Sequence, residues 1–216
     1  MDAKVKTKAK AEIIKPKEVE GTSLLDAILE ITVKDKDGKI TEHRVQKSQS
    51  FVRQWLELLY LQASGIRGGY GYSIRDTGNV VRGVHVDTEN LRVDAGATVI
   101  THGIVVGSGS TEPAIDDYAL ETQITHGVVA GQLQYSDMAI GHPAADATIS
   151  QITVTRDFAN GTGASVTVYE IGMYVIAQGV DEESCYFMVL RDVIAAGIEV
   201  PDGQTLTINY RLQAAV

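Results

Sequence analysis

From residue 70 to the C-terminus, short apolar segments follow one another, each closed by glycine, asparagine, aspartate or proline. A chain patterned this way buries its apolar side chains by pairing strands and packing the sheets, not by stacking helices. The clearest case is 205–212, where Leu206, Ile208, Tyr210 and Leu212 share one face and Thr205, Thr207, Asn209 and Arg211 the other. Further strands are expected over 70–75, 80–86, 97–106, 122–135, 148–158, 165–176 and 186–194, with tight turns at 76–79, 159–163 and 200–204. Within 165–176 the apolar parity changes: Val166 and Val168 fall on one face, Ile171, Met173 and Val175 on the other. A one-residue bulge near Tyr169 and Glu170 would restore a continuous apolar face.

Upstream, Leu29, Ile31 and Val33 alternate with Glu30, Thr32 and Lys34, as in a half-buried strand. The Asp35-Lys-Asp-Gly38 turn and residues 40–46 complete a hairpin. One helix is expected, over about 48–63, with Ser48 or Ser50 as its cap. Phe51, Val52, Trp55, Leu56, Leu58 and Leu59 form its apolar stripe, and Gly65 ends it. These elements predict a mainly β protein: an antiparallel, jelly-roll-like β-sandwich over residues 21–216, preceded by an extended basic arm over 1–20.

Charge is divided unevenly. Residues 1–17 carry six lysines (Lys4, Lys6, Lys8, Lys10, Lys15 and Lys17) against Asp2 and Glu12, a net of +4; the whole chain is −9, so the remainder carries −13. An acidic body argues against a broad nucleic-acid-binding surface, and the basic arm reads either as a solvated tail or as an arm that docks on the acidic body of an adjacent copy, with nucleic acid a further partner open to the arm alone. No apolar run approaches the roughly 20 residues of a membrane span, and the N-terminus lacks the apolar core of a secretory signal. The single cysteine, Cys185, precedes an apolar run and reads as a buried thiol.

Each constellation that suggests chemistry lacks a required part. Gly107-Ser-Gly-Ser-Thr-Glu is glycine-rich like a phosphate loop, but no Lys-Ser/Thr pair and no helix follow. Ser108 and Ser110 do not sit in a G-x-S-x-G elbow. The histidines (His43, His85, His102, His126, His142) have no i, i+2 or i, i+4 pair; His102 and His126 would meet only across paired strands, without a third zinc ligand. Asp116-Asp117 and Asp181-Glu-Glu183 read as loop carboxylates, and Asn160-Gly-Thr162 as a turn. Tyr70 and Tyr72 lie in a glycine-rich stretch and are the candidates for stacking on a sugar. No residue is assigned as catalytic, cofactor-binding or metal-ligating, and no cofactor is expected.

The run from Gly107 carries Val106-Gly-Ser-Gly-Ser-Thr-Glu-Pro, Asp116-Asp-Tyr-Ala-Leu-Glu121, Phe158-Ala-Asn-Gly-Thr-Gly-Ala-Ser165, Val168-Tyr-Glu-Ile-Gly-Met-Tyr174, Leu190-Arg-Asp192 and Val200-Pro-Asp-Gly-Gln-Thr-Leu-Thr207. With Ser48-Gln-Ser-Phe-Val52 and Arg75-Asp-Thr-Gly78 upstream, it resembles a loose group of tailed-phage virion structural proteins. The resemblance spans roughly residues 45–212 and consists of turn and strand signatures. It implies a non-enzymatic virion protein of a phage tail or capsid surface, a homo-oligomer that contacts other virion proteins. The alternative is a virion module that binds a host glycan or receptor. Glu170 is a charge in an otherwise apolar strand, so pairing with Arg191 or Arg156 is expected to fix strand register.

Overall fold

A computed structural model of the chain describes residues 26–64, 73–84, 91–147, 149–179 and 182–215. It is mainly β with antiparallel sheets. The elements in order are β1 (Asp26–Lys34), β2 (Ile40–Lys47), β3 (Ser50–Phe51), α1 (Arg53–Ser64), β4 (Ser73–Arg75), β5 (Val81–Gly83), β6 (Gly103–Gly107), β7 (Gln134–Tyr135), β8 (Ala139–Ile140), β9 (Ala144–Ala145), β10 (Ile149–Ala159), β11 (Val166–Gln178), β12 (Ser184–Val200) and β13 (Thr205–Ala215). The larger sheet runs β2-β1-β13-β10, and short β7, β8 and β9 pair in turn along the far side of β10. The second sheet runs β3-β12-β11-β6, and β4-β5 is a separate hairpin. Alternating side chains from both larger sheets, such as Leu29, Ile31, Phe158, Leu206 and Ile208 with Val168, Phe187, Val189 and Ile198, join one buried cluster. Among the described residues no helix is long and apolar enough to cross a membrane.

The first hairpin forms as expected. Asp35 Oδ1 accepts from the Asp37 and Lys39 amides, and Gly38 takes φ +80°, a conformation that favours glycine. β1 is buried on both faces, however, because Glu30 is roofed by His43 of β2 and by Asn209 and Arg211 of β13. The helix begins at Arg53 instead of Ser48, which puts Val52 at the position before its first residue. Ser48 and Gln49 are instead bound to Asp192, and Ser50–Phe51 pair with β12. The arm over 1–20, together with Tyr70, Tyr72 and His85, lies outside the described residues.

Two expected strands are largely irregular. Only Gly103–Gly107 of 97–106 is a strand, because the carbonyls of Gly96, Val99 and His102 turn inward onto the guanidinium of Arg156. Of 122–135 only Gln134–Tyr135 remains, since the Thr122 amide is taken by Glu170 and a tight loop holds 127–132. The last two strands are sequence neighbours but not partners: β12 pairs with β11, and β13 with β10 and β1. The irregularity near Tyr169 is present, yet the extra residues are in the partner strand. Val168 faces Ile198 and Glu170 faces Val193, so Ile194 through Gly197 bulge opposite Tyr169.

β10 and β11 thus pass from one sheet to the other alongside β13 and β12. Asn160 ties the two crossing points together. Its amide group donates to Ala164 O (2.8 Å) and Val200 O (2.6 Å), its Oδ1 accepts from Thr162, and its backbone pairs with Gly203 and Gln204. It is 2% exposed and fully engaged, so the Asn-Gly-Thr triplet is a turn. Asn160→Ala removes the side-chain donor to the buried Val200 carbonyl and is expected to destabilise by about 1–3 kcal/mol. A urea midpoint equal to wild type would show that the staple carries no load.

Candidate functional site

The charges that could perform chemistry are drawn into the interior, where three polar centres form. The first is built on Glu170, which is fully buried. β11 places it opposite Gly107 of β6, and the Gly107-Ser-Gly loop folds over its carboxylate. Gly109 and Thr122 amides donate to Oε1 at 3.1 and 2.8 Å, and the Glu121 amide donates to Oε2 at 3.0 Å. Arg191 completes the set, its Nε and Nη2 reaching Oε2 at 3.1 and 3.0 Å. Arg191 Nη1 then bonds Asp117 Oδ2 at 2.7 Å, which also accepts from the Ala114 amide. Burial draws the Arg191 guanidinium down, but the bonds to Asp117 and Glu170 outweigh it and hold its pKa above the ordinary value.

This arrangement explains the glycine-rich loop. A Cβ at Gly107 would sit 2.5 Å from Glu170 Oε1, and one at Gly109 2.6 Å from the same atom. The glycines let backbone amides close on an anion, as in a phosphate loop, but the anions are the protein's own carboxylates. Glu121 Oε2 takes the Ser110 and Thr111 amides at 3.0 Å each, and those backbone donors hold its pKa below the ordinary value. Glu170 joins Arg191, as the sequence led us to expect; Arg156 lies elsewhere.

Arg156 is the second centre, 1% exposed, on the core face of β10. Its guanidinium donates to five backbone carbonyls: Ser136 (2.9 Å), His102 (3.3 Å), Ile104 (3.0 Å), Gly96 (3.0 Å) and Val99 (2.7 Å). The Tyr135 ring lies 4.8 Å from its central carbon. Burial lowers its pKa to about 10, which leaves it charged at neutral pH. The loop that supplies Gly96 O and Val99 O holds Thr98 at φ +71°, a strained setting for a β-branched residue.

The third centre is Asp192, fully buried and, among the described residues, without a cation. It accepts from Ser48 Oγ (2.9 Å), the Gln49 amide (2.5 Å) and Tyr210 Oη (2.7 Å), tying β12 to β13 and to the segment before α1. Burial raises its pKa more than these bonds lower it. A folded-state pKa above the unfolded value means the native state holds the proton longer. Stability is therefore fully present below about pH 3.9 and falls as pH rises through the folded value. Asp192→Asn is expected to flatten that fall, gaining on wild type as pH rises above about 3.9 in urea titrations; parallel curves would contradict it.

The remaining candidates are dispersed. His102 stacks on Tyr186 at 5.8 Å, His126 Nδ1 accepts from the Tyr135 amide, His43 bonds Glu30, and His142 is exposed. Among the described residues no three of histidine, cysteine, aspartate and glutamate gather where they could hold a metal ion. Asp116 is exposed while Asp117 turns to Arg191, so they form no acid pair; Glu183 lies 3.8 Å from Arg82, and Asp181 is outside the described residues. Cys185 is buried, 4% exposed. Comparison with known family models, characterised proteins and solved structures finds no match.

Proposed function

We propose that this chain is a non-enzymatic structural protein of a phage virion, in the tail or on the capsid, that assembles through its N-terminal arm and the surfaces of a jelly-roll-like β-sandwich. The observation that carries the reading is how the buried charges are used. Glu170, Arg191 and Arg156 direct their hydrogen bonds to the chain's own backbone and to each other. Such closed networks fix strand register and loop shape, which a scaffold needs. The sandwich reading is supported by the folded ribbon, in which β10 with β13 and β11 with β12 lie in different sheets and cross together at Asn160. The split between a +4 arm and a −13 body supports assembly between copies.

Mass spectrometry of gradient-purified particles from the replicon that encodes the chain tests the assignment. The expected result is co-purification at stoichiometric level, with cross-links to like chains or to neighbouring virion proteins. Absence from purified particles, with the chain present in the lysate, would overturn it.

A further inference from the structure

Among the described residues, the larger sheet has two outer edges without a further paired strand, and they differ in chemistry. In the second sheet the β6 edge is covered: Gly107 bridges Gln123, the Ile124 amide donates to Val106 O, and the Ser108 amide to Thr122 O. At its other edge, two-residue β3 leads directly into α1. In the larger sheet, edge strand β2 carries Glu42, His43, Arg44 and Lys47, the charges that normally guard an edge against pairing. The opposite edge lacks those charges and is interrupted only by Pro143, between the two-residue strands β8 and β9. Residues 139–145, Ala-Ile-Gly-His-Pro-Ala-Ala, are all exposed and hold no acidic or basic side chain beyond His142. Ile140 is 49% exposed, and Ile152 beside it on β10 is 38% exposed. Exposed Asp137 and Asp146 flank the run.

The N-terminal arm has the pattern that fits this edge. Residues 4–11 read Lys-Val-Lys-Thr-Lys-Ala-Lys-Ala, with lysine at every second position and Val5, Thr7, Ala9 and Ala11 between. Added as a strand, that period of two puts four lysines on one face and four small side chains on the other. Backbone pairing would supply affinity and the small face would cover Ile140 and Ile152, while the exposed acidic residues Asp137 and Asp146 at the two ends of the run complement the lysines in charge. The arm also leaves the fold at the correct end. Asp26 faces Gln213, Gln213 faces Gln151, and Gln151 faces Ala144, so the chain enters the sheet in the same row as β9. Three strand spacings, about 14 Å, separate them. The residues between Ala11 and Asp26 extend up to about 3.3 Å each, enough to pass that edge and reach a neighbouring one.

We propose that residues 4–11 add as an extra strand along the 139–145 edge of an adjacent copy of the chain. The inference rests on the assembly role proposed for the arm and gives that arm its docking site. The test mixes a tagged Ala9→Cys chain with an untagged Ala144→Cys chain and treats them with a short bismaleimide. The expected product is a band of tagged-plus-untagged size, which can form only between chains. An untagged Val45→Cys chain, carrying its thiol on the guarded β2 edge, is expected to give no such band. Ile140→Lys in the Ala144→Cys chain alters an exposed side chain and is expected to lower the yield about tenfold. No mixed band, an equal band with Val45→Cys, or a yield indifferent to Ile140→Lys overturns the proposal. If deletion of residues 1–17 still dissociates the assembly in that case, the docking site is wrong and the assembly role stands.

Discussion

Arg156→Met is expected to lower stability by about 3–5 kcal/mol, a large effect for one substitution. Methionine fills much of the volume but donates nothing, so the carbonyls of Gly96, Val99, His102, Ile104 and Ser136 lose the donor that gathers them. Charge-assisted bonds contribute about 1.5–3 kcal/mol each, and five of them outweigh the several kcal/mol of desolvating one guanidinium. The bonds to Gly96 O and Val99 O that flank Thr98 and its left-handed backbone would be lost, so 96–102 is expected to loosen first. At about 2–4 °C per kcal/mol for a chain of this size, melting falls by roughly 10 °C. Arg156→Lys should recover part of the loss, since an ammonium cannot span five acceptors. A melting temperature within 2 °C of wild type for Arg156→Met would refute the carbonyl cage as a source of stability.

Glu170→Gln is the second large effect, again about 3–5 kcal/mol, because it leaves Arg191 buried with only Asp117 as a charged partner. One oxygen of the glutamine can still accept from Gly109 and Thr122, but its amide group would face the Arg191 donors. Arg191→Met is expected to cost a similar amount for the opposite reason, an uncompensated buried carboxylate. The double variant should lose much less than the sum of the two, since no buried charge is stranded; strict additivity would mean the pair is not coupled. Urea midpoints of the four proteins measure the coupling directly.

Much of the frame is legible in the residues. The Leu206-Ile208-Tyr210 alternation dictates β13, and the parity change at Tyr169 signals a bulge, although sequence cannot say which strand carries the extra residues. Glu170 calls for a cation on paper because charges within apolar strands require partners, and the structure selects Arg191 over Arg156. Tyr210, on that same apolar face, needed a partner for its hydroxyl, and Asp192 in Leu190-Arg-Asp was the available acceptor. The cage around Arg156 is hidden for a physical reason: its acceptors are backbone carbonyls, which have no side-chain signature. For the same reason Ala97 to Thr101 reads as a strand, since its β-branched composition is overridden by a cation that bends the backbone inward. The Gly107 loop, which reads as a surface loop lacking the parts of a phosphate loop, closes its amides on the chain's own carboxylates. Those carboxylates, Glu121 and Glu170, lie too far along the chain for local spacing to reveal.

Light scattering coupled to size exclusion, on the full chain and on a deletion of residues 1–17 over a range of concentrations, tests the assembly account most directly. The account predicts that the full chain runs at a multiple of its 23.2 kDa mass and that the deletion runs as a monomer. The same monomeric mass for both proteins at high concentration would contradict it.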